Sequence, residues 1–240
     1  MDLSGHTALV TGSAHRVGRA ITLALADAGA DIVLHYNRSR DPAENTADEV
    51  RAMGRSVQLV SADLADPAAT ATLFDEIEGP VQVLVNSAAN FPTDTVADLT
   101  ADGWERTMAV NLRGPVFLTQ AFVAVLPDAT EGCVVNVTDW RVARPYPDHV
   151  SYTVAKGALD TFTTTAANAL APRIRVNGVA LGAMLPPPGK DSAYLKELAQ
   201  EIPLERVGGT DPVAQAVLFL VLNHFVTGEI IRIDGGAHLR

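Results

Sequence analysis

Tyr152 and Lys156 stand four residues apart, a spacing that puts a phenol and an ammonium on one face of a helix. A tyrosine near pKa 10 exchanges protons poorly at neutral pH until a cation stabilises its phenolate, and Lys156 is placed to do so. Such pairs are common on helix surfaces, so the meaning of this one depends on what else the chain supplies. A second feature is the turn Gly12-Ser13-Ala14-His15-Arg16-Val17-Gly18. Between a strand and a helix its glycines permit a tight turn and close packing, and the free N–H groups at the positive end of the helix attract a pyrophosphate. Arg16 stands where related turns carry a third glycine. A guanidinium at a helix start opposes the helix dipole, so a bound anion would account for it. The third feature is His35-Tyr36-Asn37-Arg38-Ser39. A carboxylate about 20 residues past the turn would bond a ribose 2′-hydroxyl and repel a 2′-phosphate. No acid occurs here until Asp41, while Arg38, with Asn37 and Ser39, offers charge and donors for a phosphate, so NADP(H) is the expected cofactor. Asp41, directly before Pro42, reads as a helix N-cap.

The elements that must hold these residues are visible in the apolar pattern, which switches repeatedly between short continuous runs and helical periodicity. Strands are expected over residues 7–11, 31–36, 57–61, 81–85, 133–137, 174–179 and 230–233. Helices are expected over 17–28, 42–53, from 67 onward, 104–126, 151–170 and 211–222. This is the pattern of a single α/β domain over residues 1–240: a doubly wound, three-layer fold with a seven-stranded parallel sheet and helices on both faces. The Pro/Gly-rich stretch that begins at Gly182 opens a substrate loop over about residues 182–200, where a ligand-covering loop belongs.

Composition narrows the function classes. With 240 residues and 48% hydrophobic content the chain is long enough for a large core and too apolar for disorder. A net charge of −10 without a Lys/Arg run gives no footprint for nucleic acid. Asp, Arg, Asn and Gly interrupt every apolar run before the roughly 18 residues that span a bilayer, so no membrane partner is expected. The first residues lack the basic and apolar regions of a signal peptide. Cys133, the one cysteine, has no disulfide partner in the chain and reads as part of a buried strand, so a reducing cytoplasm is the expected compartment. No metal is expected.

The glycine turn, Asn86-Ser87-Ala88 after the fourth strand, Asn111, Tyr152/Lys156 and the ending Ile233-Asp234-Gly235-Gly236 occur in the order and at the spacing of the short-chain dehydrogenase/reductase family, which the whole chain resembles. The resemblance implies a Rossmann fold. It further implies that Tyr152 exchanges a proton, that Lys156 lowers its pKa and binds the nicotinamide ribose, and that Asn111 helps hold a relay water. Asp63 and Leu64 would meet the adenine, and Asn86, Ser87, Ala88 and Gly182 would line the cofactor beside His15, Arg16, Val17 and Tyr36. Most members carry a serine thirteen positions before the tyrosine; this chain has Asp139. An ionised carboxylate accepts hydrogen bonds but donates none to a carbonyl oxygen, which makes a ketone an awkward substrate and a ring with N–H groups a natural one. Asp139, Arg16 and the His35–Ser39 segment resemble the pteridine reductase branch, which includes bacterial dihydromonapterin reductases. That resemblance implies that Phe91 stacks on a pterin and that Arg16 bridges pyrophosphate and substrate. Two departures are Ala89, where some of these enzymes have serine, and the bulky Trp140.

The leading expectation is NADPH-dependent reduction of a C=N bond in a dihydropterin of the monapterin or biopterin type, with dihydrofolate a poorer substrate. A carbonyl or 3-oxoacyl thioester reductase that tolerates Asp139 is the alternative, and a non-catalytic NADP-binding regulator, disfavoured by the intact Asn111, Tyr152 and Lys156, is a third reading. The two long helices carry apolar residues on more than one face, and the family resemblance implies that they build a homotetramer, with Arg240 near a neighbouring subunit's pocket.

Overall fold

Side-chain alternation along the strands determines the architecture. A computed structural model describes residues 3–186 and 192–240; Met1, Asp2 and residues 187–191 of the expected substrate loop lie outside the described residues. The strands are β1 (Thr7–Val10), β2 (Asp31–Tyr36), β3 (Val57–Ser61), β4 (Val83–Asn86), β5 (Gly132–Asp139), β6 (Ile174–Leu181) and β7 (Ile230–Ile233). The helices are α1 (Arg16–Asp27), α2 (Arg40–Ala52), α3 (Pro67–Thr72), α4 (Ala101–Met108), α5 (Gly114–Val125), α6 (Val150–Leu170), α7 (Ser192–Glu201) and α8 (Asp211–Leu222). Ala8 and Val10 of β1 point into one apolar cluster and Leu9 into another; Ile32 and Leu34 part from Val33 in the same way, and Cys133 and Val135 from Val134. The first cluster is closed by α1, α2 and α8, the second by α3, α5 and α6. A parallel sheet needs such cover on both faces, and fully buried residues such as Leu25 and Phe122 each contribute about 1.5–3 kcal/mol.

All seven strands are parallel, in the order β3-β2-β1-β4-β5-β6-β7. This is the expected three-layer, doubly wound Rossmann fold. The order reverses between β1 and β4, and a crevice opens outside the carboxyl ends of those strands.

Two local expectations are corrected. The helix expected over 104–126 runs from Ala101 to Val125 and is interrupted by a π-helical turn at Ala109–Arg113, which carries Asn111; one extra residue in a turn leaves the apolar spacing almost unchanged. This helix is long and apolar enough to cross a membrane, yet Leu118 and Phe122 are fully buried against the sheet, which makes it a core helix. Asp41 is not an N-cap. α2 starts at Arg40 after Ser39, so Asp41 lies inside the first turn, where its charge favours the helix dipole and Pro42 is tolerated because the first amides have no helical partner.

Candidate active site

The glycine turn follows β1. Gly12 has a φ of +67°, and a Cβ there would lie 2.8 Å from the Ala88 Cα; a Cβ on Gly18 would lie 2.2 Å from the Gly12 carbonyl oxygen. The start of α1 and the segment after β4 close onto the turn only because both side chains are absent. Arg16 adopts a φ of +58°, the left-handed conformation that a glycine reaches without strain. Its Nη2 donates to the Pro186 carbonyl at 3.0 Å, reaching the segment after β6. α1 has no acid in its first turn and no side-chain cap at His15, which leaves amides for an anion.

The residue that fastens this turn was given no separate role in the sequence. His35 is 2% exposed. It accepts the Gly12 N–H on Nδ1 at 3.2 Å, and its Nε2 donates to the Ala62 carbonyl at 3.1 Å. Ser13 donates both its N–H and its hydroxyl to the His35 carbonyl at 3.0 Å. Burial pushes the imidazole from 6.5 down to about 4, so the ring is neutral, as one accepting and one donating nitrogen require. The signal was its position in β2, where period two turns it to a buried face.

A cleft of about 400 Å³ opens above the turn. Its wall brings together Gly12, His15, Arg16, Val17 and Gly18; Tyr36, Asn37, Arg38 and Ser39; Asp63 and Leu64; Ser87 and Ala88; and Tyr152 and Lys156. Thr11 Oγ1 accepts the Ser87 and Ala88 N–H groups at 3.0 Å each and fixes that side. Arg106, unassigned in the sequence, lines the cleft and pairs with Asp63 at 3.0 Å. Burial opposes charge on Asp63, but the Ala65 N–H and the Arg106 and Arg38 cations outweigh it and hold the carboxyl below its usual range. Several expected residues are off this wall. Asn86 donates to Asn136 Oδ1 at 2.9 Å inside the sheet, and a Cβ on Gly182 would lie 2.5 Å from the Asp234 Cα, so that glycine permits chain packing. Asn111 Nδ2 donates to the Asn90 and Thr107 carbonyls at 3.1 Å, and its Oδ1 is buried without a hydrogen-bond partner.

At the inner end, Tyr152 Oη donates to Asp139 Oδ2 at 3.0 Å, joining α6 to the last residue of β5. Burial raises the carboxyl of Asp139, against the Arg141 N–H, the Tyr152 hydroxyl and the charges of Arg141 and Lys156. Burial, followed by Asp139, pushes the Tyr152 phenol well above its ordinary value, and Arg141 is the cation that opposes this. Lys156 Nζ donates to the Val137 carbonyl at 2.7 Å and lies 5.6 Å from the Tyr152 ring centroid. Burial brings Lys156 itself down to about 8, against the pull of Asp139 and Asp160. Phe91 meets the Tyr152 ring edge to face at 4.6 Å, but its own ring is stacked on His149 at 3.7 Å, a face the sequence reading left for a substrate. Trp140 packs edge to face on Tyr146 at 5.5 Å. The start of α6 is anchored from the segment after β4: Asp94 accepts the Ser151 N–H at 3.1 Å and also the Ser151 hydroxyl.

The enoyl-(acyl carrier protein) reductase family model matches residues 12–238, from the glycine turn to the C-terminal turn. A short-chain type dehydrogenase/reductase of Picea abies is 30% identical over 98% of this chain and 93% of its own. The chain belongs to the short-chain dehydrogenase/reductase family. Among solved structures of this family, FolM alternative dihydrofolate reductase 1 of Brucella canis, complexed with NADP, is 37% identical, covers 99% of this chain and 96% of its own, and superposes with a TM-score of 0.93. The angucycline C-6 ketoreductase LanV with bound NADP is 30% identical, covers 100% and 98%, and has a TM-score of 0.94. This short-chain reductase is an NADP-dependent oxidoreductase. Its own residues fit the cofactor: the glycines leave the turn open to a pyrophosphate, α1 presents uncapped amides, and Arg38 rather than a carboxylate follows β2.

Proposed function

We propose that the protein reduces a C=N bond of a dihydropterin, of the monapterin or biopterin type, to the tetrahydro form, with dihydrofolate a poorer substrate. The observation that carries this reading is the Tyr152–Asp139 hydrogen bond, which puts an acceptor where a hydroxyl donor would serve a ketone. When bound, NADPH supplies the hydride that reaches the ring carbon. Tyr152 and Asp139 hold the proton that the adjacent ring nitrogen takes up, and the free acceptor capacity of Asp139 suits ring N–H or amino groups. Arg16, Arg38 and the α1 amides hold the phosphates, and Lys156 the ribose. His149 takes one face of the Phe91 ring, so a flat ring would stack on the other face or displace His149. The similarity to FolM supports the reading.

A second reading, a carbonyl or 3-oxoacyl thioester reductase, is favoured by the likeness to LanV and by the upward shift of Asp139, since a protonated carboxyl could donate to a carbonyl. NADPH consumption with dihydrobiopterin or dihydromonapterin, run beside acetoacetyl thioesters, separates the two; turnover of the thioesters alone would sink the pterin reading. Asp139→Ser should impair pterin reduction and spare a ketone. We also propose a homotetramer in the cytoplasm, with Arg240 close to a neighbouring pocket; the half-exposed Phe117 and Val125 on α5 and Val154 on α6 support an interface there, and light scattering that finds a monomer at micromolar concentration refutes it.

A further inference from the structure

α6 carries both Tyr152 and Lys156, yet it begins without a device of its own for fixing a helix start. No acid stands in its first turn, and His149, the residue ahead of it, caps no amide with its side chain. The first amides of a helix have no helical partner, and a carboxylate there satisfies one of them and suits the dipole. In this chain the carboxylate comes from a segment 57 positions away: Asp94 Oδ1 accepts the Ser151 N–H at 3.1 Å, and Oδ2 accepts the Ser151 hydroxyl. Both oxygens thus engage the fully buried residue next to Tyr152. Two further ties hold the same segment. Asn111, in the π-helical turn, donates to the Asn90 carbonyl at 3.1 Å, and His149 Nδ1 donates to the Pro92 carbonyl at 2.6 Å. Residues 90, 92 and 94 are each fastened, and Phe91 lies between two of the fastenings, stacked on His149 at 3.7 Å and edge to face with Tyr152 at 4.6 Å. Of these three ties the one from Asp94 carries a charge, and charge-assisted hydrogen bonds are the strong ones.

We propose that Asp94 is a positioning residue of the reaction: by capping α6 it locks residues 90–94 to that helix, so that a substrate meets the Phe91 ring and the Tyr152 hydroxyl at one set angle. Asp94 itself lies off the cleft wall and acts through Ser151 on Tyr152 and through its own segment on Phe91. The inference rests on Tyr152 as the proton-handling group, which the pterin and carbonyl readings share, and on Phe91 as a ring-binding wall, which belongs to the pterin reading alone. Without the cap the two segments part, the proton donor loses its aim and the wall its distance from it.

The test compares Asp94→Ala, Asp94→Asn and Ser151→Ala in the full chain. Asparagine can accept the Ser151 N–H on its oxygen and donate its amide to the Ser151 hydroxyl, so it keeps the tie without the charge. Asp94→Ala should lower kcat about 10- to 100-fold, up to the loss that a misplacement of about 1 Å brings. It should also raise KM for dihydrobiopterin about 3- to 10-fold, the worth of an aromatic contact, and leave KM for an acetoacetyl thioester and the affinity for NADPH nearly unchanged. Asp94→Asn should recover most of the parent kcat, and Ser151→Ala, which keeps the N–H tie, should lose less than Asp94→Ala; that variant carries the comparison where Asp94→Ala does not fold. Amide hydrogen exchange, which needs no turnover, should speed up over residues 90–94 and 150–153 together in Asp94→Ala and return toward the parent in Asp94→Asn. Faster exchange in one segment alone overturns the proposal, as does a folded, less stable Asp94→Ala with the parent kcat, which is what a merely structural cap would give. Turnover of the thioester alone refutes the pterin reading, while kcat and exchange still decide this inference.

Discussion

Replacing His35 with glutamine removes a buried titrating group from beneath the phosphate-binding turn, and its effect follows from the structure. Burial holds the imidazole at about 4 against 6.5 in the unfolded chain. Between those values the unfolded chain binds a proton that the folded chain does not, so stability is lost as pH falls through this window and is fully present above about 6.5. Taking the two values, His35 alone withdraws about 1.3 kcal/mol between pH 7.5 and 5.5, or about 3 to 5 °C in Tm for a chain of this length. The lower pH keeps clear of the pI near 4.9, where solubility is least. Urea unfolding of the parent and of His35→Gln at both pH values isolates the term, because Asp139, Asp160 and the other shifted groups titrate in both proteins and cancel in the difference. Glutamine can keep one of the two hydrogen bonds, so the variant should be folded, less stable at pH 7.5, and flatter with pH. Equal pH slopes in the two proteins would refute the reasoning, since the imidazole would then be protonated alike in the folded and unfolded states.

Four further outcomes follow from the cleft. Gly18→Ala puts a methyl 2.2 Å from the Gly12 carbonyl oxygen, a clash with backbone that no rotamer relieves, so calorimetry should show NADPH binding weakened about a hundredfold or more. Arg38→Ala should weaken NADPH roughly 10- to 100-fold and leave NADH nearly unchanged, the size of a lost charge-assisted phosphate contact; an equal loss for both cofactors would place Arg38 elsewhere. Tyr152→Phe removes the donor to Asp139 and should lower kcat by about 10²–10⁴ while NADPH affinity, measured by fluorescence titration, changes little. Arg16→Gly should hold or raise Tm, because it relieves a left-handed residue costing about 1–2 kcal/mol, while weakening NADPH binding; a clear fall in Tm would mean that the Arg16–Pro186 contact matters more than the strain.

Much of this was legible in the sequence because period and punctuation carry it. Strands β2, β3 and β7 and helix α8 occupy the residues expected of them, since short apolar runs bounded by polar turns leave little freedom of assignment. The cleft wall was legible for a related reason: Gly12, Gly18 and Arg38 sit at fixed distances from strand ends, and sequence distance becomes spatial distance once the fold is set. What could not be read were contacts between segments distant in the chain. His35 reaches Ala62, Asp63 reaches Arg106, and Asp94 reaches Ser151, 57 positions away. The stack of His149 on Phe91 is of the same kind, because spacing says that an aromatic is near the site and nothing about which face is already covered.

The division of charge at the inner end is a sharper case. An i, i+4 spacing shows that Lys156 and Tyr152 share a face of α6, but not where a four-carbon stem points its ammonium. In the folded chain it points into the sheet end, at the Val137 carbonyl, on a helix whose neighbouring turn carries Asp160. Tyr152 is left bonded to a carboxylate that discourages its ionisation. A phenol so placed is a poor source of phenolate and a good holder of a proton, which suits reduction, where a proton must be given up only as negative charge develops on the substrate. Lys156, buried and anchored on the main chain, then faces the cleft where the ribose would lie, while the partly exposed Arg141 is held against the Phe91 and Tyr146 rings.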